Sequence, residues 1–231
     1  MNALKAPVYE IFFSYQGEGL YIGMPQIFIR FAGCNINCSY CDTPYSKTIS
    51  KKSKYFTADD ILQKVLSINK KNKCNSLSIT GGEPLIYGAF LKEFLPKAIK
   101  KGFKIYLETN GILYKELKKI INLCSIISMD FKMPSQCKKN FFKEHKEFLK
   151  IASKKEVFIK IIITKSVQTA EIIKAAKTIK RVNKTAPLIL QPSIDKDKPF
   201  IENLYLFYTK TSKIVSNTRI MPQIHKLYNI R

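Results

Sequence analysis

Apolar positions fall along this chain in two alternating rhythms. Short β-rich runs at 8–12, 26–32, 77–80, 103–108, 125–129, 156–163, 187–190 and near 219–221 predict strands. Between them the spacing turns helical. Thr57-Ala58-Asp59-Asp60 predicts a helix start, with Thr57 as N-cap and two carboxylates in the first turn, and Ile61, Leu62, Val65, Leu66 and Ile68 as its apolar face. Further helices are predicted over 89–101, closed by Gly102 as a C′ glycine, over about 113–123, after Ser135, over 169–181 and near the C-terminus. Strand alternating with helix predicts an α/β fold with a mostly parallel sheet under helical covering. No linker or fixed-period repeat interrupts the pattern, so residues 1–231 read as a single domain.

In parallel α/β sheets, ligand sites sit at the carboxyl ends of the strands. Here the residues just past the predicted strands are polar or glycine-rich: 33–43, Gly81-Gly82-Glu83-Pro84, Glu108-Thr109-Asn110, Asp130-Phe131-Lys132 and Gln191-Pro192. A further loop, Ser14-Tyr15-Gln16-Gly17-Glu18-Gly19, sets two glycines around a carboxylate, which lets backbone approach a ligand closely. Gln26, Phe28 and Arg30 share one strand face; an arginine there needs an anionic partner if buried, and faces solvent if the strand is an edge.

The densest chemistry lies in 33–43, where Cys34, Cys38 and Cys41 are spaced C-x3-C-x2-C. Pairing within the loop would strand one thiol, and no second C-x2-C pair exists to complete a four-cysteine zinc site. Three thiolates can instead hold a four-iron, four-sulfur cluster and leave one iron open to a small molecule. A structural zinc loop and three incidental buried thiols are the alternatives. Cys74, Cys124 and Cys137 are scattered and read as packing or surface residues.

This spacing resembles that of the radical S-adenosylmethionine (SAM) superfamily, and Gly81-Gly82-Glu83-Pro84, in correct order after it, resembles that superfamily's SAM-binding GGE element. Tyr15-Gln16-Gly17-Glu18-Gly19, Phe28-Ile29-Arg30-Phe31-Ala32-Gly33-Cys34-Asn35, Cys41-Asp42-Thr43 and the closing Pro222 to Arg231 segment are similar to the 7-carboxy-7-deazaguanine synthase family over the whole length. The resemblance implies a compact, partial (β/α) radical SAM barrel. It implies ring contraction of 6-carboxy-5,6,7,8-tetrahydropterin to 7-carboxy-7-deazaguanine with loss of ammonia, a carbon–nitrogen lyase step in queuosine and deazapurine biosynthesis. It implies a 4Fe-4S cluster on Cys34, Cys38 and Cys41, and Mg²⁺ at Thr43. SAM would be held by Tyr40, Gly82, Glu108, Asp130, Phe131, Lys132, Gln191, Pro192, Ser193 and Ile194. The pterin would be read by Tyr15, Gln16, Gly17, Glu18, Arg30, Thr80, His225 and the terminal carboxylate of Arg231. Family members often carry Ser-Pro-Lys where this chain has Asp130-Phe131-Lys132. The resemblance also implies a homodimer and a one-electron donor such as a flavodoxin or ferredoxin.

Charge changes this picture little. The net charge is +23, yet all but four of the 40 basic residues are lysines, spread over the predicted helices rather than massed in one arm. Direct base and phosphate recognition favours arginine forks, so a solvated lysine surface is expected and no direct nucleic-acid partner. No run of eighteen apolar residues and no signal-like start occur, which predicts a cytoplasmic chain without a membrane span. Two rivals stay open on sequence: a glycyl-radical-enzyme activase, which shares the cysteine spacing, and a basic RNA-binding zinc protein.

Overall fold

The computed structural model describes residues 3–195, 198–228 and 230. In chain order the elements are β1 (Lys5–Tyr15), β2 (Pro25–Phe31), β3 (Lys54–Thr57), α1 (Ala58–Asn72), β4 (Ser76–Gly81), α2 (Gly88–Lys100), β5 (Lys104–Thr109), α3 (Tyr114–Ile120), β6 (Ile126–Asp130), α4 (Pro134–Cys137), α5 (Phe142–Ala152), β7 (Glu156–Ile163), α6 (Thr169–Val182), β8 (Leu188–Pro192), β9 (Ile194–Asp195), β10 (Lys198–Pro199), α7 (Leu204–Ser212), β11 (Thr218–Ile220) and α8 (Ile224–Leu227).

Nine strands form one sheet in the order β11-β8-β7-β6-β5-β4-β2-β1-β3. From β2 to β11 neighbouring strands run parallel, while β1 runs antiparallel to both β2 and β3. The parallel strands therefore end on the same side, and their loops converge there. The helices bury their apolar stripes on the opposite face: Ile61, Leu62 and Val65 from α1, Phe90, Phe94 and Leu95 from α2, and Ile172, Ala175, Ala176 and Ile179 from α6 join one core with Ile79, Leu107, Ile127, Ile159 and Leu190 of the strands. Thr57 caps α1 as its sequence requires, and Asp60 answers in a reciprocal capping box.

The structure corrects several boundaries. β1 is eleven residues long rather than five, because Phe13, Ser14 and Tyr15 still pair with β2 and Lys5, Ala6 and Pro7 pair with β3. β3, with lysine at its start and exposed side chains, is an edge strand that the hydrophobic pattern did not reveal. β8 runs on through Gln191 and Pro192, which the pattern had left in a loop.

Candidate active site

At the carboxyl ends of the parallel strands lies a cavity of about 820 Å³. Its wall contains Tyr15, Gln16, Gly17, Glu18, Arg30, Thr80, Glu108 and His225, together with Cys34, Cys38, Tyr40, Cys41, Thr43, Gly82, Asp130, Lys132, Ser193 and Ile194. Thus loops from opposite parts of the sequence meet in one chamber.

The cysteine loop has no repeating structure of its own and is held from outside. Gly33 N–H donates to Ser46 O at 2.8 Å, Cys34 N–H to Lys47 O at 3.0 Å, and Lys47 Nζ to Cys38 O at 2.8 Å. The neighbouring loop after β4 closes the fit: Glu83 N–H donates to Gly33 O at 2.9 Å, and any Cβ on Gly82 would collide with the Gly33 and Ser46 carbonyls. Glycine at 82 is thus required by backbone crowding. All three thiols are free, and the Cys137 sulfur lies 3.4 Å from that of Cys38. The three scattered cysteines are all buried, so Cys137 sits beside the cluster loop rather than on the surface.

On the β1–β2 side the polar groups are locked together. Gln16, 2% exposed, donates from Nε2 to Glu108 Oε1 at 2.7 Å and to Gln26 Oε1 at 3.1 Å, while its Oε1 accepts from Glu18 N–H at 3.0 Å. Thr80 Oγ1 donates to Glu108 Oε2 at 2.8 Å. Glu108, which the resemblance assigned to SAM, thus has Gln16 and Thr80 as its partners. Arg30 donates from Nε to Glu10 at 2.8 Å, and its guanidinium lies 5.7 Å from the Phe12 ring centre. Burial disfavours the Glu18 carboxylate, but Lys160, His225 and a hydrogen bond from Gln223 outweigh it and hold the group well below the usual carboxylate range. Gln223 Nε2 bridges Glu18 Oε1 at 2.6 Å and Asp42 Oδ2 at 3.2 Å, and Ile224 N–H donates to Gly17 O at 3.0 Å. The tail carrying His225 is thereby pinned over Gly17, where a Cβ would fall 2.5 Å from the His225 ring.

On the β6–β7 side Lys132 Nζ donates to Asp130 Oδ2 at 2.8 Å and lies 5.2 Å from the Tyr40 ring centre. Three expected SAM residues are not in the wall. Phe131 is 1% exposed and turns into the core against Phe142 and His145; Gln191 and Pro192 are buried in β8. Arg231 lies outside the described residues. Conversely, the wall includes residues to which the sequence reading gave no ligand role, chiefly Asp42, Asn110, Lys160 and Gln223. Lys160 had left a signal: a lone lysine inside the apolar run of β7.

His145 supports this side from behind. Its Nε2 accepts from Lys132 N–H at 3.0 Å and its Nδ1 faces Gly111 O at 2.9 Å, an arrangement that requires the neutral ring protonated at Nδ1. Burial, reinforced by the Lys132 charge, pushes His145 down to about 4. The folded state therefore resists protonation. This contribution is complete above the unfolded pKa near 6.5 and is lost as pH falls through 4, worth about 3 kcal/mol. The stability advantage of the wild-type protein over His145→Phe, measured by urea unfolding, is expected to shrink by about that amount between pH 6.5 and 4. An advantage independent of pH would refute the neutral ring.

The Radical SAM superfamily model matches residues 28–179. The 7-carboxy-7-deazaguanine synthase of Geobacter sulfurreducens is 36% identical over 250 residues, covering 98% of this chain and 98% of the relative, and that of Archaeoglobus fulgidus is 32% identical over 99% of this chain and all of the relative. The chain belongs to the 7-carboxy-7-deazaguanine synthase family. The crystal structure of QueE from Escherichia coli, 21% identical, shares the fold with a TM-score of 0.68 over 95% of this chain and 94% of that one.

Family membership brings a 4Fe-4S cluster, SAM and Mg²⁺, and the donor atoms fit these groups. One tetrahedral zinc would draw its thiolates to about 3.8 Å from one another at the usual Zn–S length. Among the described residues, the only trio of His, Cys, Asp and Glu ligand atoms within 4.8 Å of one another is Glu18, Asp42 and His225. The three cysteine sulfurs do not all lie that close together, so they are not gathered around one point as a single zinc would hold them. Thr43 and the Asp42 carboxylate add hard oxygen donors of the kind Mg²⁺ takes.

Proposed function

We propose that this protein is a 7-carboxy-7-deazaguanine synthase, converting 6-carboxy-5,6,7,8-tetrahydropterin to 7-carboxy-7-deazaguanine with loss of ammonia. The observation that carries this reading is the single chamber whose wall holds three free thiols together with a buried set of hydrogen-bond donors and acceptors, Gln16, Glu18, Thr80 and Glu108 among them. Cys34, Cys38 and Cys41 would hold the cluster, and Tyr40, Gly82, Asp130, Lys132, Ser193 and Ile194 would hold SAM. Bound together, these two groups would supply one-electron radical chemistry of the kind that abstracts hydrogen from a substrate. Thr43 would hold Mg²⁺.

The protein's own part is orientation and exclusion of water. Glu18, kept ionised, accepts from the pterin N–H edge. Gln16 cannot rotate, because both ends of its amide are engaged, so it presents one fixed face. Arg30 uses Nε on Glu10 and keeps its terminal nitrogens for the substrate carboxylate. Tyr15, Gly17, Thr80 and Glu108 complete the pterin side, and the His225 segment closes over it.

Anaerobic reconstitution with iron and sulfide, followed by incubation with carboxytetrahydropterin, SAM and a reductant, should yield 7-carboxy-7-deazaguanine, identified by mass. No product from a protein carrying four irons would end this reading. Arg30→Lys is expected to raise KM for the pterin about 30-fold or more with iron content unchanged, since one ammonium cannot serve Glu10 and the substrate together. An unchanged KM would remove Arg30 from the site.

The same reading includes a one-electron donor such as a flavodoxin or ferredoxin, pairing of chains as homodimers, and a cytoplasmic setting. Among the described residues no helix is long and apolar enough to cross a membrane. One sheet running from β1 to β11 supports a single domain.

A further inference from the structure

We propose that Lys160 is a positioning residue that couples the binding of SAM to the binding of the pterin; this rests on the function proposed above. Lys160 is 4% exposed, and its ammonium has two claimants, one from the loop after β1 and one from the end of β6. One is Glu18 Oε2, with which it forms a direct ion pair; the other is Asp130 Oδ1, at 3.4 Å. Asp130 Oδ1 is buried and has no hydrogen-bond partner among the described residues, while Asp130 Oδ2 is already taken by Lys132 at 2.8 Å. The Lys160 carbonyl also accepts from Phe131 N–H at 2.8 Å, so the same residue anchors the backbone of the 130–132 loop.

A chain of alternating charge thus runs Glu18–Lys160–Asp130–Lys132, from the pterin wall to the SAM wall. Its weak point is the orphaned oxygen of Asp130, since a buried acceptor without a donor costs free energy. Lys160 cannot satisfy both carboxylates fully from its present position. When pterin N–H groups take over Glu18, Lys160 is released to make its hydrogen bond to Asp130. That completes the 130–132 loop in the form that meets SAM. SAM bound first fixes the same loop and draws Lys160 the same way, leaving Glu18 open for the pterin. Each ligand then meets a site already ordered by the other, and the effect must be equal in both directions.

The test uses the holoenzyme, anaerobic and with its cluster oxidised, so that no turnover occurs. The Kd of SAM is measured with and without saturating carboxytetrahydropterin, and the Kd of the pterin with and without SAM. The expected wild-type result is tightening of each ligand by about 5-fold or more in the presence of the other. In Lys160→Gln the tightening should disappear, and Lys160→Arg should restore part of it. Glu18→Gln gives an independent check that leaves Lys160 in place. Freed from the carboxylate, Lys160 moves to Asp130, and SAM alone should bind as tightly as it binds wild type with pterin present. Tightening that survives in Lys160→Gln, SAM affinity unmoved in Glu18→Gln, or wild-type affinities that ignore each other although both ligands bind would each overturn the proposal. A holoenzyme that binds SAM but no pterin would instead remove the proposed function, and this inference with it.

Discussion

Cys41→Ala is expected to abolish turnover, by at least 10³-fold, and to reduce iron from about four atoms per chain to a small fraction after anaerobic reconstitution. The reasoning is geometric. Cys34, Cys38 and Cys41 all face the cavity from a loop without regular structure, and among the described residues only Cys38 has a further thiol beside it. Cys137 is the nearest substitute, but it sits 3.4 Å from Cys38, so it duplicates that corner and cannot reach the one Cys41 vacates. Cys137→Ser should therefore keep its iron and sulfide. Folding should survive in Cys41→Ala, because the loop is tied by the Gly33 and Cys34 backbone and by the Lys47 ammonium, not by the Cys41 thiol. Iron and sulfide analysis beside the unfolding midpoint checks both halves. Four irons in Cys41→Ala, or none in Cys137→Ser, would mean that the wrong trio has been assigned.

Much of this site could be read from the chain because its signals are local. The cysteine spacing, the Gly-Gly turn and the placement of polar residues after apolar runs depend on neighbours a few residues away, and the structure brings those loops together as the alternation of strand and helix requires. What escaped depends on partners far apart in sequence. Cys137 meets Cys38 across 99 residues, and Gln223 meets Glu18 across 205. Phe131 lies between two wall residues yet is buried against Phe142 and His145, partners that lie 11 and 14 residues further on. Gln191 and Pro192 were read as a loop because the apolar run ends at Leu190, but their strand does not stop there. Lys160 could have been found, since a lysine flanked by isoleucines in a central strand has to be buried, and a buried ammonium needs carboxylates. Which carboxylates, and hence its link between two ligands, only the fold could tell.

Glu83→Ala is expected to cost about 5 kcal/mol of stability in the apoprotein and to abolish SAM binding. The carboxylate is fully buried and accepts three hydrogen bonds: from Leu85 N–H at 3.0 Å, from Thr109 Oγ1 at 2.9 Å and from Asn110 N–H at 2.7 Å. It thereby fastens the loop after β4 to the loop after β5, behind the wall that carries Gly82. Alanine would leave three buried donors unmatched, each at about 1–3 kcal/mol, and Gly82 would lose its fixed seat on Gly33. Glu83→Gln should cost less, since it keeps one acceptor oxygen, but it turns an NH₂ group toward an N–H donor. Its pH dependence separates the two effects. Burial pushes Glu83 up to about 7 despite its three donors, so the folded state binds a proton more readily than the unfolded chain. That contribution is complete below the unfolded pKa near 4.5 and is lost as pH rises through 7, opposite in sign to that of His145 and of similar size. In the wild-type protein the two slopes should largely cancel between pH 4.5 and 6.5. Glu83→Gln removes one of them, and its stability should then fall on acidification through that window, while His145→Phe should fall on going the other way. Urea unfolding of the two variants at a series of pH values decides it: parallel slopes, or a Glu83→Ala loss below about 1 kcal/mol, would show that this buried carboxylate does not fasten the SAM wall.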